Sequence, residues 1–281
     1  MPSKFSLTIK ELIEEGEEKN ENPKDLGGIW EHKVKLDDLE PGVQYAYICG
    51  NADHGWSGIS TFTAPRTTTS PRLAIVGTVY DTDPSSAAIS NLYSHNIIEP
   101  LDLIVLFAAD DTASLPHLQT LQNSIPTLYV PFSKTDENYS VGFNDIYLIF
   151  LNTNNLGSDE INWLGDELYE SRKYSWVFVF GHNPTPPTTV DLTQKFDSHG
   201  VHMYISLDRH NYSRKGYDLG YKNNGLNTTL YVSEPPLHAF PTNVTLSEDG
   251  IGLSSAAMGY GLIYINGHSD FEWQQIDLET N

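Results

Sequence analysis

Apolar residues fall into two regimes along this chain. Before residue 63 they alternate with polar ones in short runs. Residues 32–36 and 43–48 alternate, and 56–62 forms a further run, so strands are expected at all three. Residues 37–42, with Pro41-Gly42, and residues 50–55 read as the turns between them. From residue 73 the runs become continuous, as in strands covered on both faces, at 73–77, 101–107, 127–131, 145–151, 176–180 and 201–205. Further strands are expected at 229–232, 262–265 and 271–276. Helical spacing separates several of these: 85–95 as an amphipathic helix, 117–124 behind Pro116, and 158–172 with Ser158 as N-cap.

Strands alternating with helices predict a layered α/β domain over residues 73–281. Ahead of it, residues 1–66 hold an acidic N-terminal run (residues 11–21) and a truncated antiparallel β module of the sandwich type, and the Thr-rich residues 67–72 read as a linker.

Composition narrows the function. The chain carries 16 basic against 37 acidic residues, a net charge of −21, which opposes nucleic acid and anionic lipid as partners. No stretch has the roughly 20 apolar residues of a membrane span. The N-terminus lacks an apolar leader, and Cys49 is the one cysteine, which together lead us to expect a cytoplasmic protein. Four Asn-x-Ser/Thr triplets, starting at Asn138, Asn211, Asn227 and Asn243, read as products of an Asn-, Ser- and Thr-rich composition; a secreted glycoprotein is the alternative.

Candidate chemistry gathers after the strand at 201–205. Asp208 and His210 stand two residues apart just past a strand end, where side chains converge on ligands, and such a pair can address one metal or one anion. Arg209, Arg214, Lys215 and Lys222 follow, read either as a solvated basic loop or as an anion site.

Several phrases occur in the order and spacing of a known family. Leu39-Glu-Pro-Gly-Val-Gln-Tyr-Ala-Tyr47 and Trp56-Ser57 through Phe62-Thr-Ala-Pro65 resemble a fibronectin-like N-terminal domain. Trp163-Leu164, Trp176-Val-Phe-Val-Phe-Gly-His-Asn-Pro184 and Met258-Gly-Tyr-Gly-Leu262 extend the match. The chain from about residue 30 resembles the purple acid phosphatases, within the calcineurin-like metallophosphoesterases. That resemblance implies a metallophosphoesterase-like β-sandwich flanked by helices, behind a fibronectin type III-like module. It also implies a chemistry in which two bridged metals activate water against a phosphate ester.

The family's five strand-end motifs are only partly kept. Thr78 stands where the first motif has its metal-binding Asp. At the second, Asp110 matches the bridging Asp and Ala113 replaces the Tyr ligand. At the third, Ser133 replaces the Asn ligand and Lys134 the catalytic His; a short gap there would instead bring Asp136 or Asn138 to the site. The fourth is intact at Val179-Phe180-Gly181-His182. In the fifth, His210 matches the second His and Asp208 replaces the first.

A catalytic metal normally has at least three protein ligands and an open position, so the resemblance leaves no binuclear site here. What remains is one Zn or Mn on Asp110, His182, Asp208 and His210, or an anion held by Lys134, Arg209 and Arg214, or an empty relic. The leading expectation is a pseudoenzyme without cofactor, retained for binding a protein partner in a larger assembly such as a cytoskeletal or ciliary complex. The alternative is a metal-dependent phosphomonoester hydrolase with a mononuclear site. Ser/His/Asp nucleophilic catalysis has no Gly-x-Ser-x-Gly elbow to support it.

Overall fold

The computed structural model describes residues 24–25, 30–31, 39–51, 55–64, 66–79, 83–109, 116–131, 136–183, 192–207, 212–216, 229–234, 253–255, 258–268 and 270–278. Packing divides the chain into two compact units, residues 1–67 with 120–126 and residues 68–119 with 127–281.

In the first unit β1 (Lys24–Asp25) pairs with β2 (Trp30–Glu31), β3 (Gln44–Tyr47) with β6 (Ser60–Thr63), and β4 (Gly50–Asn51) with β5 (Gly55–Trp56), each antiparallel. The turn expected at Pro41-Gly42 is present. Val43 N–H donates to the Glu40 carbonyl at 3.2 Å, and Gly42 takes φ of 73°, where any Cβ is strained. Tyr45 is buried and stacks on Phe62 with ring centroids 5.7 Å apart, while its hydroxyl accepts the Glu40 N–H at 2.7 Å. The strand expected at 56–62 is interrupted at residues 57–59, because the Ser57 hydroxyl turns back to accept the Cys49 N–H at 2.9 Å. Residues 11–21 and 32–36 lie outside the described residues.

The second unit begins with β7 (Arg72–Val79), α1 (Asp83–Ile98), β8 (Leu103–Ala109) and the first residues of α2 (Pro116–Ser124, which belongs to the first unit from residue 120), followed by β9 (Thr127–Tyr129), β10 (Tyr139–Phe143) and β11 (Ile146–Leu151). It continues with α3 (Ser158–Glu170), β12 (Trp176–Gly181), α4 (Leu192–Ser198), β13 (Met203–Leu207), β14 (Tyr212–Gly216) and β15 (Leu230–Glu234). β16 (Leu253–Ser255), β17 (Met258–Asn266) and β18 (Asp270–Leu278) complete it.

The strands form a seven-stranded sheet in the order β10-β11-β12-β13-β15-β14-β16 and a five-stranded sheet in the order β18-β17-β7-β8-β9. β11, β12, β13 and β15 run parallel, as do β7, β8 and β9.

The continuous apolar runs are explained by two buried faces. Along β11 and β12, Ile146, Leu148, Phe150, Trp176, Phe178 and Phe180 join Leu73, Ile75, Val105 and Phe107 of the other sheet in one core between the sheets. The alternate residues Tyr147, Ile149, Val177 and Val179 pack instead on Leu164 and Leu168 of α3 and Leu192 and Phe196 of α4. Truncating Phe178, wholly buried in the first core, to Ala would cost about 3–5 kcal/mol. On the five-stranded sheet, the Tyr260 hydroxyl donates to Asn91 of α1 at 2.7 Å, and Ala88, Ile89 and Leu92 of that helix are buried. The expected amphipathic helix therefore has its buried stripe, but its last turn leaves Ile97 and Ile98 exposed.

Three expectations are corrected. Ser158 is not the N-cap of α3: Gly157 is, in extended backbone, and the Glu160 carboxylate accepts the Gly157 N–H at 2.9 Å. The helix also stops at Glu170 instead of residue 172, with a 3-10 turn over Ser171–Lys173. The polar stretch after residue 207, read as a basic loop, holds strand β14, which carries Arg214 and Lys215 and pairs antiparallel with β15 and β16.

Candidate functional site

Parallel strands of both sheets deliver their carboxyl ends to one edge, where ligands are bound in open α/β sheets. His182 follows directly on β12 at that edge. Its Nε2 lies 2.9 Å from the carbonyl of Phe107 in β8, so it carries the proton and donates across the gap between the sheets. The Val130 main chain at the end of β9 is a second hydrogen-bond partner, and the Phe107 ring meets the imidazole edge-on at 5.6 Å. The side chain is only 6% exposed. Burial lowers the pKa of the ring, and it outweighs the opposing pull of the Phe107 and Val130 carbonyls and of the Asp136 charge. A neutral His182 thus ties the two sheets together.

Around it the strand ends are cross-linked by amides and hydroxyls. Asn152, just past β11, donates its N–H to the Asn138 side-chain oxygen at 2.6 Å and its Nδ2 to the Asp136 carbonyl at 2.9 Å. Thr153 Oγ1 accepts the Asn183 N–H at 3.0 Å, and the Thr153 carbonyl accepts Asn183 Nδ2 at 3.0 Å. The wholly buried Tyr204 of β13 donates to the Asn183 carbonyl at 2.7 Å, and its phenol pKa is raised by burial and then by the nearby Tyr231. Gly181 permits this closure. A Cβ there would fall 2.6 Å from Thr153 Cγ2 and 2.7 Å from the Tyr204 hydroxyl.

Of the candidate residues read from sequence, Thr78, His182 and the third-motif alternatives Asp136 and Asn138 are described with their side chains; Thr78 is buried in β7 opposite Ala108, and Asp136 and Asn138 meet Asn152 beside the His182 edge. Arg214 is placed in β14 by its backbone. Asp110, Ala113, Ser133, Lys134, Asp208, Arg209 and His210 lie outside the described residues. Asn152, Thr153, Asn183 and Tyr204 were not singled out from sequence; the one signal was a polar Asn-Thr pair directly after an apolar run. Among the described residues no group of three or more His, Cys, Asp or Glu converges as a metal site, and no helix is long and apolar enough to cross a membrane.

A Ser, a His and an Asp do meet at the opposite end of the sheets. Ser175 Oγ and Asp145 Oδ2 approach His268 Nδ1 at 2.9 and 2.5 Å. Both address the same ring nitrogen, so the imidazole cannot relay a proton from hydroxyl to carboxylate as a catalytic triad does. With Trp176 Nε1 donating to the Gly267 carbonyl at 2.9 Å, the group fastens the β17–β18 turn to the seven-stranded sheet.

No family model matches the chain. Two curated relatives do, both called acid phosphatase type 7. That of Mus musculus is 24% identical over 218 residues, covering 58% of this chain and 47% of its own length. That of Danio rerio is 24% identical over 281 residues, covering 74% of this chain and 63% of its own. The chain thus spans between about half and just under two thirds of the length of these relatives.

Among solved structures, the purple acid phosphatase PPD1 from yellow lupin (Lupinus luteus) seeds superposes with a TM-score of 0.68 at 13% identity, covering 88% of this chain and 59% of that one. PhoD gives 0.65 at 9% identity, covering 87% and 73%. GAP50, described as the anchor in the inner membrane complex of Plasmodium, gives 0.53 at 12% identity, covering 75% and 90%.

Proposed function

We propose that this chain is a purple acid phosphatase-like protein of metallophosphoesterase fold, catalytically degenerate and retained to bind or anchor a protein partner. Thr78 is the observation that carries this: it brings a hydroxyl where the family's metal takes a carboxylate, and a neutral hydroxyl is a far weaker ligand for a divalent cation. His182 keeps the fourth motif's imidazole and donates from Nε2 to the Phe107 carbonyl. A metal-bound histidine uses the same kind of partner for its other nitrogen, so this bond does not count toward the reading. On this donor chemistry the two-metal group of the family does not fit, and no hydrolytic step is derived through it.

The replacements at Ala113, Ser133, Lys134 and Asp208 point the same way; Lys134 adds positive charge where cations would sit. A relative by fold, GAP50, is described as an anchor, so the architecture suits such a role. The single cysteine agrees with a reducing compartment, and the candidate assembly within this reading is a cytoskeletal or ciliary complex. Within the same reading, residues 39–64 belong to a fibronectin type III-like module, supported by the Tyr45 hydroxyl reaching back to Glu40 N–H, the corner contact of such sandwiches.

The test is metal content after loading with Fe, Zn and Mn and removal of loose ions, with turnover of p-nitrophenyl phosphate followed in parallel. We expect less than about 0.1 ion per chain, far below the one ion any metal-assisted hydrolysis needs, and no turnover. One firmly held Zn or Mn, lost in His182→Ala together with activity, would overturn the proposal in favour of a mononuclear phosphoesterase using Asp110, His182, Asp208 and His210. A thermal shift with inorganic phosphate, abolished in Lys134→Ala and Arg209→Ala, would establish the anion reading with Arg214 as third partner.

A further inference from the structure

The two outer strands of the five-stranded sheet are treated differently. At β9 the Tyr139 phenol accepts the Tyr129 N–H at 3.1 Å and donates to the Tyr129 carbonyl at 2.5 Å. One side chain thereby occupies both main-chain groups that an incoming strand would use, which is how an edge is closed to addition. At the other edge β18 runs for nine residues paired with β17, and among the described residues no strand lies beyond it. Its sequence, Asp-Phe-Glu-Trp-Gln-Gln-Ile-Asp-Leu, contains no proline, glycine or lysine, and its charges are the carboxylates of Asp270, Glu272 and Asp277, which repel a like-charged strand but not a basic one.

The faces of β18 are also distinct. Phe271 and Trp273 pack, half-buried, against the core between the sheets. Asp270 and Glu272 stand exposed on the other face, with Gln274 donating to the Glu272 carboxylate at 2.7 Å.

We propose that β18 is a strand-addition site for an extended basic segment of another protein. Its main chain would continue the sheet, and its alternate side chains would read the two faces. Lys or Arg at every second position would oppose Asp270 and Glu272, as favourable cross-strand pairs require, and apolar residues between them would lengthen the row of Phe271 and Trp273. Charge selects this occupant over a second copy. A copy would bring another acidic strand on a chain of net charge −21, whereas a basic segment is steered in by the same field. The inference concerns a surface remote in chemistry from the His182 cleft and stands whether or not that cleft holds a metal.

The experiment uses the full chain and two capped heptapeptides, one of alternating Val and Lys and one of alternating Val and Glu. Binding is read by anisotropy at low and moderate salt, and its location by amide hydrogen exchange. We expect the Lys peptide to bind at least about tenfold tighter than the Glu peptide, with the difference shrinking as salt screens it. Exchange should slow in residues 270–278. Asp270→Lys combined with Glu272→Lys should reverse the preference, with an unchanged unfolding midpoint certifying the fold.

Equal affinities, a charge preference without protection of β18, or protection of β18 by self-association at rising protein concentration would each overturn the proposal. Metal content is not altered by any of these outcomes, so failure here is separable from failure of the degenerate-site reading.

Discussion

Replacing His182 with Ala separates a structural histidine from a metal ligand. The substitution leaves the Phe107 carbonyl without its donor in the protein interior, which costs about 1–3 kcal/mol. It also deletes the edge-on ring contact at 5.6 Å, worth roughly 0.5–1.5 kcal/mol. The expected loss is therefore about 2–4 kcal/mol, or a fall in Tm of roughly 5–15 °C for a domain of this size.

Denaturant unfolding of both proteins, each in chelator and each with excess Zn or Mn, gives the comparison. We expect the same difference in both media, because the tie to Phe107 involves no ion. The two proteins should also differ in pH dependence. The folded protein holds His182 neutral with a lowered pKa, so on acidification the unfolded chain takes up the proton first, near the ordinary value of about 6.5. Between that value and the lower folded one, the unfolded state binds more protons and stability falls as pH falls. His182→Ala should lose this part of the slope. A destabilisation below about 0.5 kcal/mol, or one present only with metal, would refute the assignment.

Other outcomes follow from neighbouring geometry. Gly181→Ala should cost more than about 2 kcal/mol in unfolding free energy, since the new Cβ would press on Thr153 and the Tyr204 hydroxyl; a near-neutral effect would mean that the strand ends yield. Tyr139→Phe removes the hydroxyl capping β9, and light scattering on storage should show faster association than the parent, with a stability loss of about 1 kcal/mol. For Asp145, burial acts upward on the pKa but is outweighed by hydrogen bonds from Ser175 and by His268, so the folded value is lowered. Its contribution is thus present above the ordinary carboxylate range and lost as pH falls through the folded value. Asp145→Asn should flatten that acid limb, and an unaltered limb would assign it to other carboxylates.

The strands that bury two faces were legible because their sequences leave no polar position to misread: 145–151 and 176–180 lie within a residue or so of β11 and β12. β10 and β14 were missed for the converse reason. Tyr139–Phe143 includes Ser140 and Gly142, and Tyr212–Gly216 is polar throughout, so neither carries a strand's apolar signature; pairing with β11 and with β15 and β16 makes them strands. The cap of α3 turned on a carboxylate reaching back three residues, an acceptor that competes with the Ser158 hydroxyl and wins. His182 was found by its motif. Its partner was not, because Phe107 lies on a strand of the other sheet, and no local pattern announces a carbonyl needing a donor. Tyr204 was read only as part of an apolar run, with its hydroxyl's role hidden until Asn183 came into place.

The position of β17 carries a consequence for how the protein is made. β17 comes long after β7 in the sequence, yet it lies between β18 and β7, pairing Ile263 with Leu73 and Leu262 with Ala74. While synthesis proceeds, β7, β8 and β9 can align with one flank of β7 bare, and that flank is among the most apolar sequence in the molecule. Contacts between residues so distant along the chain form late and slowly, and an unpaired apolar edge in the meantime invites aggregation. Nascent chains arrested before Met258 should therefore be retained by chaperones, and release should coincide with emergence of the β17–β18 hairpin.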